Sequence, residues 1–242
     1  MINTTQLGKI YIKNTPQANL KKLCSFTLNN DILGNLTVET KRYKDETYKF
    51  ITELKNEKGN LFGKEVFAIE ANSKKLQGFY IETNPKYRKT QYRFGELLRL
   101  TSIIEMLENG LSTFEIYSKD TAIYFHSKYK FIPDIKNFLD RDKALESIIE
   151  NSQPGFEQFV QKALKILNAI KKTNSASIQR DLRSKTNELT LEYIQKVLEN
   201  KDAYKSHPFK FGMNMQLTDK QILDNKNFFN ELFKKHGIDF KI

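Results

Sequence analysis

Apolar residues recur at every second position through much of the first 84 residues, which is the period of a half-buried β-strand. The clearest case is NLTVETKRY at 35–43. The segment that follows at 47–71 predicts two strands around a glycine-containing hairpin or loop. Shorter strands are predicted for GKIYIKN at 8–14 and KLQGFYIETN at 75–84. Strands are therefore expected to form most of the N-terminal part.

Helical spacing interrupts these strands at two places. At 15–28, a Thr-Pro start is followed by Leu20, Leu23 and Phe26, which predicts a first helix. A better-defined helix follows residue 93 and stops at Asn109-Gly110. Four apolar residues fall on one face of this second helix: Leu97, Leu100, Ile104 and Leu107.

A further strand and a further short helix follow the second helix. STFEIYS at 112–118 predicts the strand. DTAIYFHSKYKF at 120–131 predicts the helix, with Asp-Thr as its N-cap, and the IPD segment at 132–134 ends it. Strands and helices thus alternate in an α/β pattern.

The pattern becomes helical from about residue 150. Helices are predicted at 154–172, 187–200 and 217–237. The last has Thr218 or Asp219 as its cap and Gly237 as its stop. The intervening segment at 201–215 is basic and aromatic and is predicted to be a loop.

Length and composition fit one large or two small domains with a packed core, because 39% of the 242 residues are hydrophobic. We predict one domain at 1–148 and a helical extension or small helical domain at 149–242. Cys24 is the only cysteine, so neither an intramolecular disulfide nor a Cys/His metal pattern is available. No apolar stretch reaches bilayer length, so we expect a cytoplasmic protein without a metal or a membrane partner. An effector exported without a cleaved signal would share these features.

The net charge of +11 favours a polyanionic partner such as nucleic acid, anionic lipid or a phosphorylated cofactor. A lysine-rich coding bias that places most lysines on solvated faces explains the total equally well. Lysines alternate with aromatic residues in the 201–215 segment, which suits either single-stranded nucleic acid or an ordinary surface loop.

A local cluster of positive charge precedes the second helix. NPKYRKTQYRFG at 84–95 contains four basic residues and ends in Gly95, which would allow a ligand to approach the backbone closely. The first-turn amides of a helix have no partner within the helix, and the helix dipole adds positive potential, so a phosphate binds favourably there. Neither GxxxxGK[ST] nor GxGxxG occurs, which disfavours a P-loop or a Rossmann site.

Two motifs around this helix resemble those of the GCN5-related N-acetyltransferase (GNAT) family. That family has a strand ending near V-x-P-x-Y-R, an Arg/Gln-x-x-Gly-x-Gly/Ala loop and a Leu-Leu helix, and this chain has TNPKYR at 83–88 and FGELL at 94–98. After the next strand the family has A-x-x-F/L-Y-x-K-x-G-F, and this chain has AIYFHSKYKF at 122–131. The loop departs from the family, because Gln91 and Arg93 stand where the two glycines are expected.

The resemblance implies an α/β fold with a GNAT-like mixed, mainly antiparallel sheet flanked by helices and an α-helical C-terminal extension. It also implies that acetyl-CoA, or another acyl-CoA, binds between strands 75–84 and 112–118. Backbone amides near Ile81 and Thr83 would hold the thioester. Residues of the loop and the helix start would hold the pyrophosphate: Arg88, Lys89, Thr90, Gln91, Tyr92, Arg93, Phe94, Gly95 and Glu96.

Candidate proton-transfer residues also follow from the resemblance. His126 occupies the position of the family's Tyr that protonates the leaving thiolate, and an imidazolium could serve this purpose near neutral pH. Tyr124 and Tyr129 lie close by and could substitute. The candidate general bases are carboxylates on the strands, Glu82 first and then Glu70 and Glu115.

The sequence is therefore compatible with three functions. The first is an acyl-CoA-dependent N-acyltransferase whose acceptor is a primary amine of a protein, peptide, aminoacyl-tRNA or small molecule. The second is a catalytically inactive GNAT-like module that binds RNA or a protein. The third is an interaction protein whose helical part forms a homodimer or partner interface.

Overall fold

The computed structural model describes residues 10–13, 23–30, 32–43, 49–70, 72–87, 93–151, 154–199, 209 and 211–242. The chain groups into two compact units. Unit 1 comprises Met1–Glu115 with Thr218–Ile242, and unit 2 comprises Ile116–Leu217. The division into 1–148 and 149–242 stays a prediction about domains.

Unit 1 is built on an antiparallel sheet. Its first six strands are β1 Ile10–Lys13, β2 Leu23–Asn30, β3 Gly34–Arg42, β4 Lys49–Asn56, β5 Leu61–Glu70 and β6 Lys75–Thr83. Each pairs antiparallel with the next along the chain. Apolar side chains alternate into a core that includes Val38, Phe50 and Leu54, all with no exposed surface. The strand predictions for this part of the chain are confirmed.

The predicted helix at 15–28 is wrong where the structure describes it. Residues 23–30 form strand β2, and positions 14–22 lie outside the described residues. Cys24, Phe26 and Leu28 are buried while Thr27 and Asn29 are exposed, which is the period of a strand. Leu20, Leu23 and Phe26 are spaced as in a helix. Cys24, Phe26 and Leu28, however, lie on one buried face of the sheet in which β2 pairs with β3.

Helix α1, Phe94–Glu108, packs against strands β2, β4, β5 and β6. Three residues of the predicted apolar face, Leu97, Leu100 and Ile104, are buried, and Leu107 is half-buried. Most of the remaining surface of the helix is buried as well. Gly63 on β5 permits this close packing, because a Cβ there would lie 2.9 Å from Leu98 Cδ1 and 3.0 Å from the Glu82 carbonyl oxygen. The end of β6 and the start of α1 are therefore held tightly together.

Polar side chains of α1 are also buried against the sheet. Arg99 Nη1 donates to Glu65 Oε1 at 2.6 Å, and its guanidinium lies 4.9 Å from the centre of the Phe114 ring. One turn and a half later, Glu105 Oε1 accepts the backbone N–H of Cys24 at 2.6 Å. These two contacts tie the helix to β5 and β2.

The C-terminal part of the chain returns to unit 1 as two helices, α6 Asp219–Asp224 and α7 Lys226–Lys235. A single helix at 217–237 was predicted, and that prediction is wrong in one respect. Asn225 interrupts it, because its side-chain Nδ2 donates to the Gln221 carbonyl at 2.8 Å and competes with the helical pattern. The predicted cap at Thr218 is confirmed as a capping box with Gln221.

Strand β7, Thr113–Lys119, begins in unit 1 and leads into unit 2. Unit 2 then contains α2 Ala122–Lys128, β8 Ile132–Pro133, α3 Phe138–Glu150, α4 Glu157–Lys171, α5 Ala176–Glu199 and β9 Gly212–Thr218, of which β9 ends at the unit boundary. Strands β8 and β9 pair antiparallel. An aromatic core lies within this unit, where the Tyr193 ring contacts the rings of Phe156, Phe159 and Phe209.

Three segments of unit 2 differ from the sequence prediction, and one of them is helix α3, for which no helix was predicted. The predicted loop at 201–215 is wrong from Gly212 onward, where β9 begins, because Met213, Met215 and Leu217 are buried in alternation with polar residues. Positions 200–208 and 210 lie outside the described residues. Helix α5 starts eleven residues before the predicted 187, since its first turns are largely polar and bury little.

The predicted α/β class is confirmed, with a mainly antiparallel sheet, flanking helices and further helices in the C-terminal part. Over the described residues, none of the helices has the length and apolar character needed to span a bilayer.

Candidate active site

Strand β6 changes character halfway along its length. Its register on β5 shifts between Val66 and Phe67, so that Phe79 is an extra, bulged residue. Leu76 and Gly78 before the bulge are buried, whereas Phe79 and Tyr80 are 43% and 44% exposed. The second half of β6 therefore presents apolar side chains to solvent immediately before the basic loop.

The predicted thioester-binding positions lie on this exposed half. Ile81 pairs with Glu65, and Thr83 pairs with Gly63. In an antiparallel pair, every second residue directs its N–H and C=O away from the partner strand. The half of β6 after the bulge can thus offer backbone donors to a ligand while it remains paired with β5.

Glu82, the predicted general base, lies between these two positions and points to the surface. Its Oε2 is 3.3 Å from Lys64 Nζ, and its side chain is 54% exposed. A hydrogen bond to the Glu82 carboxylate raises the pKa of Lys64, so this ammonium group stays charged near neutral pH. Its role as a base stays a prediction.

The two other candidate bases are engaged elsewhere on the sheet. Glu115 accepts a hydrogen bond from Lys75 Nζ at 2.8 Å. Glu70 is exposed and accepts a hydrogen bond from the Ser73 hydroxyl at 2.9 Å.

The start of α1 is the predicted pyrophosphate site. Five of its predicted residues, Arg88, Lys89, Thr90, Gln91 and Tyr92, lie outside the described residues. Arg93 is described and adopts the left-handed conformation, with φ 47° and ψ 47°, which is unusual for a residue with a side chain. Strained backbone of this kind is concentrated at functional sites. Phe94 and Gly95 follow as the first two helical residues.

Glu96 completes the first turn and has a role that the sequence did not reveal. Its backbone N–H donates to the Arg93 carbonyl at 2.9 Å. Its carboxylate is buried and contacts Lys235 Nζ at 2.6 Å, His236 Nε2, and Arg93 Nη1 at 3.7 Å. The acidic group thus stands at the positive end of α1, while Lys235 and His236 stand at the negative end of α7, an arrangement that both helix dipoles favour.

Lys235 and His236 were absent from the predicted site because they are separated from Glu96 by about 140 positions. The only signal in the sequence is the basic end of the last helix, KKHG at 234–237, which fits an ordinary C-terminal helical turn equally well. The tertiary fold brings this charge to the start of α1.

An aromatic cluster joins the loop to the sheet in unit 1. The rings of Phe62, Tyr87 and Phe94 lie between 5.1 and 5.8 Å from one another. Tyr87 belongs to a short 3-10 turn, Pro85–Tyr87, that follows β6, and Phe94 is the first residue of α1. These contacts fix both ends of the basic loop.

The predicted proton donors belong to unit 2. His126 lies in the last turn of α2, is 6% exposed and packs edge-to-face against Phe125 and Phe131. Tyr124 is 1% exposed, and its ring lies 5.8 Å from that of Phe209. Burial raises the pKa of Tyr124 far above its usual value, so the phenol stays protonated at neutral pH.

Tyr129, the remaining candidate donor, is also largely buried. It follows α2 directly, and its ring lies 5.0 Å from that of Phe125. The roles of Tyr124, His126 and Tyr129 in proton transfer stay predictions.

Within the described part of the chain, no group of three or more His, Cys, Asp or Glu side chains is arranged so that it could hold a metal ion.

Comparison with known proteins found no matching family model and no match among curated proteins. Solved structures match in part. The chain is similar to a nourseothricin acetyltransferase, with 18% identity and a TM-score of 0.33, over 54% of this chain and 72% of that one. It is also similar to GCN5 from Tetrahymena, with 12% identity and a TM-score of 0.34, over 38% of this chain and 56% of that one.

A third similar structure is the PaiA N-acetyltransferase of Thermoplasma acidophilum, solved in complex with coenzyme A. It has 17% identity and a TM-score of 0.33, over 38% of this chain and 56% of that one. The matched region thus spans little more than half of the GCN5 and PaiA chains.

Proposed function

We propose that this chain transfers an acyl group from a coenzyme A thioester to a primary amine. One observation carries the proposal: β6 is bulged at Phe79, exposes its second half, and leads through a basic loop to the start of α1. A strand with available backbone groups and a helix start with positive potential are suited to a thioester and a pyrophosphate, respectively.

The residues present fit an acyl-CoA at this position. Arg93 is exposed and lies at the amide-rich end of α1, where the dipole adds positive potential. Lys235 neutralises the buried Glu96 carboxylate, which would otherwise repel a phosphate, and His236 contacts the same oxygen. We assign Arg93 and the loop 88–92 to the pyrophosphate, and the backbone of 81–83 to the thioester.

A bound acyl-CoA would supply the acyl carbon that an amine attacks, with the C–S bond breaking, the amine losing one proton and the sulfur gaining one. This chain's part is to hold the donor, to accept the amine proton and to provide the proton for sulfur. We assign the first proton transfer to Glu82 and the second to His126, with Tyr124 as the alternative donor. We assign acetyl as the transferred acyl group, and the acceptor is an amine of a protein, peptide, aminoacyl-tRNA or small molecule.

Calorimetric titration with CoA and acetyl-CoA at two salt concentrations tests donor binding. We expect micromolar affinity for the wild type, and an Arg93→Glu variant should bind roughly 10- to 100-fold more weakly because a cation facing phosphate becomes an anion. Lys226→Glu makes the same change of charge at an exposed position of α7 and controls for net charge. Equal affinity of the Arg93 variant and the control would show that phosphate does not bind at this helix start.

Absence of binding by the wild type at millimolar ligand would contradict the enzyme proposal. The inactive binding module would then be the next candidate, and RNA affinity that falls steeply with salt would support it.

Substitution of His126 tests the proton donor. We expect His126→Ala to lower the rate of thiol release from acetyl-CoA, measured with a panel of amines, by roughly 100-fold or more, since general acid catalysis contributes effects of this size. The affinity for acetyl-CoA should change little. Tyr124→Phe, which keeps the ring and removes only the hydroxyl, is the matched test of the alternative. If both variants keep wild-type turnover, neither residue is the donor.

A further inference from the structure

A second concave surface of unit 1 lies beside the proposed pyrophosphate site. It has a volume of about 600 Å³, within the range of small-molecule sites. Its walls come from three places on one edge of the sheet: the β2–β3 turn, the β4–β5 turn and the segment 84–87 after β6. We call it the sheet-edge groove.

The lining of the sheet-edge groove is cationic and rich in amides. Lys58 and Lys86 are exposed there, as are Asn60 and Asn84, and Asn56 is half-buried. None of the described residues that line it is acidic. Glu57, which lies beside Lys58 in the turn, is not among them and accepts a hydrogen bond from the Asn35 side chain. The groove therefore favours an anionic ligand.

Two of the asparagines present hydrogen-bond donors. Asn56 Oδ1 accepts the Asn60 N–H at 2.9 Å, and Asn84 Oδ1 accepts the Lys86 N–H at 3.1 Å. Each side chain is thus fixed by its oxygen, and within the described part of the chain its Nδ2 makes no hydrogen bond. An amide nitrogen can only donate, so these groups suit an oxygen-rich anion such as phosphate.

The groove is physically continuous with the start of α1. Phe62 and Tyr87 line it, and their rings lie 5.3 and 5.8 Å from that of Phe94, the first residue of the helix. Lys86 Nζ lies 5.7 Å from the centre of the Tyr87 ring, which holds the ammonium at this wall. The groove and the proposed pyrophosphate site therefore flank the same loop, so one ligand with two separated phosphate groups could occupy both.

We infer that the sheet-edge groove binds the 3′-phosphate of the coenzyme A adenosine, through Lys58, Lys86 and the amides of Asn56 and Asn84. This inference rests on the proposed function. Coenzyme A carries its pyrophosphate and its 3′-phosphate on a single ribose, which matches two neighbouring anion sites. Tyr87 offers an aromatic surface for the adenine between them.

Titration with coenzyme A and with 3′-dephospho-coenzyme A tests the inference, because the two ligands differ only by the phosphate in question. We expect the wild type to bind coenzyme A at least 10-fold more tightly than the dephospho form. A Lys58→Ala/Lys86→Ala variant should bind the two forms within about threefold of each other and bind the dephospho form as the wild type does. The preference should weaken with added salt.

Lys226→Ala/Lys241→Ala removes two exposed lysines of the same unit outside the groove and should keep the wild-type preference. Matching thermal unfolding midpoints would establish that both double variants are folded. If the groove variant retains the 10-fold preference, or loses affinity for both forms equally, the groove does not bind the 3′-phosphate. If the wild type binds both forms with equal affinity, the proposed donor site stands and this inference fails. Absence of binding of either form by the wild type would overturn the proposed function itself.

Discussion

An Arg99→Met variant is expected to lose about 3–5 kcal/mol of unfolding free energy, which is the usual cost of removing one partner of a buried ion pair. Arg99 and Glu65 have side chains that are 3% and 1% exposed, and they are joined at 2.6 Å. Burial raises the pKa of Glu65, and the Arg99 guanidinium opposes that rise. Without Arg99, the carboxyl group must either take up a proton or remain charged in an apolar interior.

Urea denaturation of the Arg99 variant measures this loss. Lys220→Met is the matched control in the same unit, because Lys220 forms an exposed pair with Asp224 and its loss should cost less than about 1 kcal/mol. A Glu65→Leu/Arg99→Met double variant should recover most of the stability, since an apolar pair of similar volume avoids the desolvation of both charges. A single variant as stable as the control would show that the pair contributes little to the attachment of α1.

The stability of the wild type is expected to fall between pH 5 and pH 8 because of Glu105. Burial is the largest influence on this group and raises its pKa from 4.5 to about 7, against the hydrogen bonds that favour the carboxylate. Between these two values the folded state binds more protons than the unfolded state, so the free energy of unfolding decreases as the pH rises. Over the whole titration, a pKa shift of this size changes the free energy of unfolding by about 3 kcal/mol. Roughly 2 to 3 kcal/mol of this change occurs between pH 5 and pH 8.

Glu105→Gln removes this proton uptake and keeps an oxygen that can accept the Cys24 N–H. From pH 5 to pH 8 the wild type should lose roughly 2 to 3 kcal/mol more of its free energy of unfolding than the variant loses. Denaturant unfolding at each pH measures this difference. Glu108→Gln on the same helix reports the effect of removing one negative charge from α1. Parallel pH profiles for the wild type and the Glu105 variant would show that the carboxyl group titrates normally in the folded protein.

Arg99 and Glu105 both belong to α1, the helix whose start forms the proposed donor site. Arg99 anchors α1 to β5, and Glu105 anchors it to β2 through Cys24. The Cys24 thiol is buried in the same place, and burial together with the Glu105 carboxyl raises its pKa, which makes it a poor nucleophile. The orientation of the helix start thus depends on buried polar contacts outside the proposed donor site.

Local patterns in the sequence were sufficient for most of the secondary structure. Alternation predicted β3 to β6, and helical spacing with a stop at Asn109-Gly110 predicted α1. These signals are reliable because each arises from neighbours within one element, where the period alone decides which side chains share a face. The motif resemblance located the basic loop and the position of His126 on the same local grounds.

Local patterns predicted the wrong element where the same residues fit both the helical and the strand period. Leu23 and Phe26 agree with a helix, yet they lie in β2, because β3 provides a sheet edge that buries Cys24, Phe26 and Leu28 together. Propensity is overridden when burial on a neighbouring element is worth more. The break at Asn225 likewise depends on one side-chain hydrogen bond that the apolar pattern does not encode.

The sequence by itself therefore determined the α/β class, the helix start with its basic loop, and the candidate residues for acyl transfer. Only the tertiary structure decided which polar side chains meet: Lys235 and His236 contact Glu96, Arg99 contacts Glu65, and Lys58 and Lys86 both line the sheet-edge groove. The physical reason is that periodicity reports contacts within an element. Partners between distant segments are set by the packing of all the elements, which no short stretch of sequence specifies.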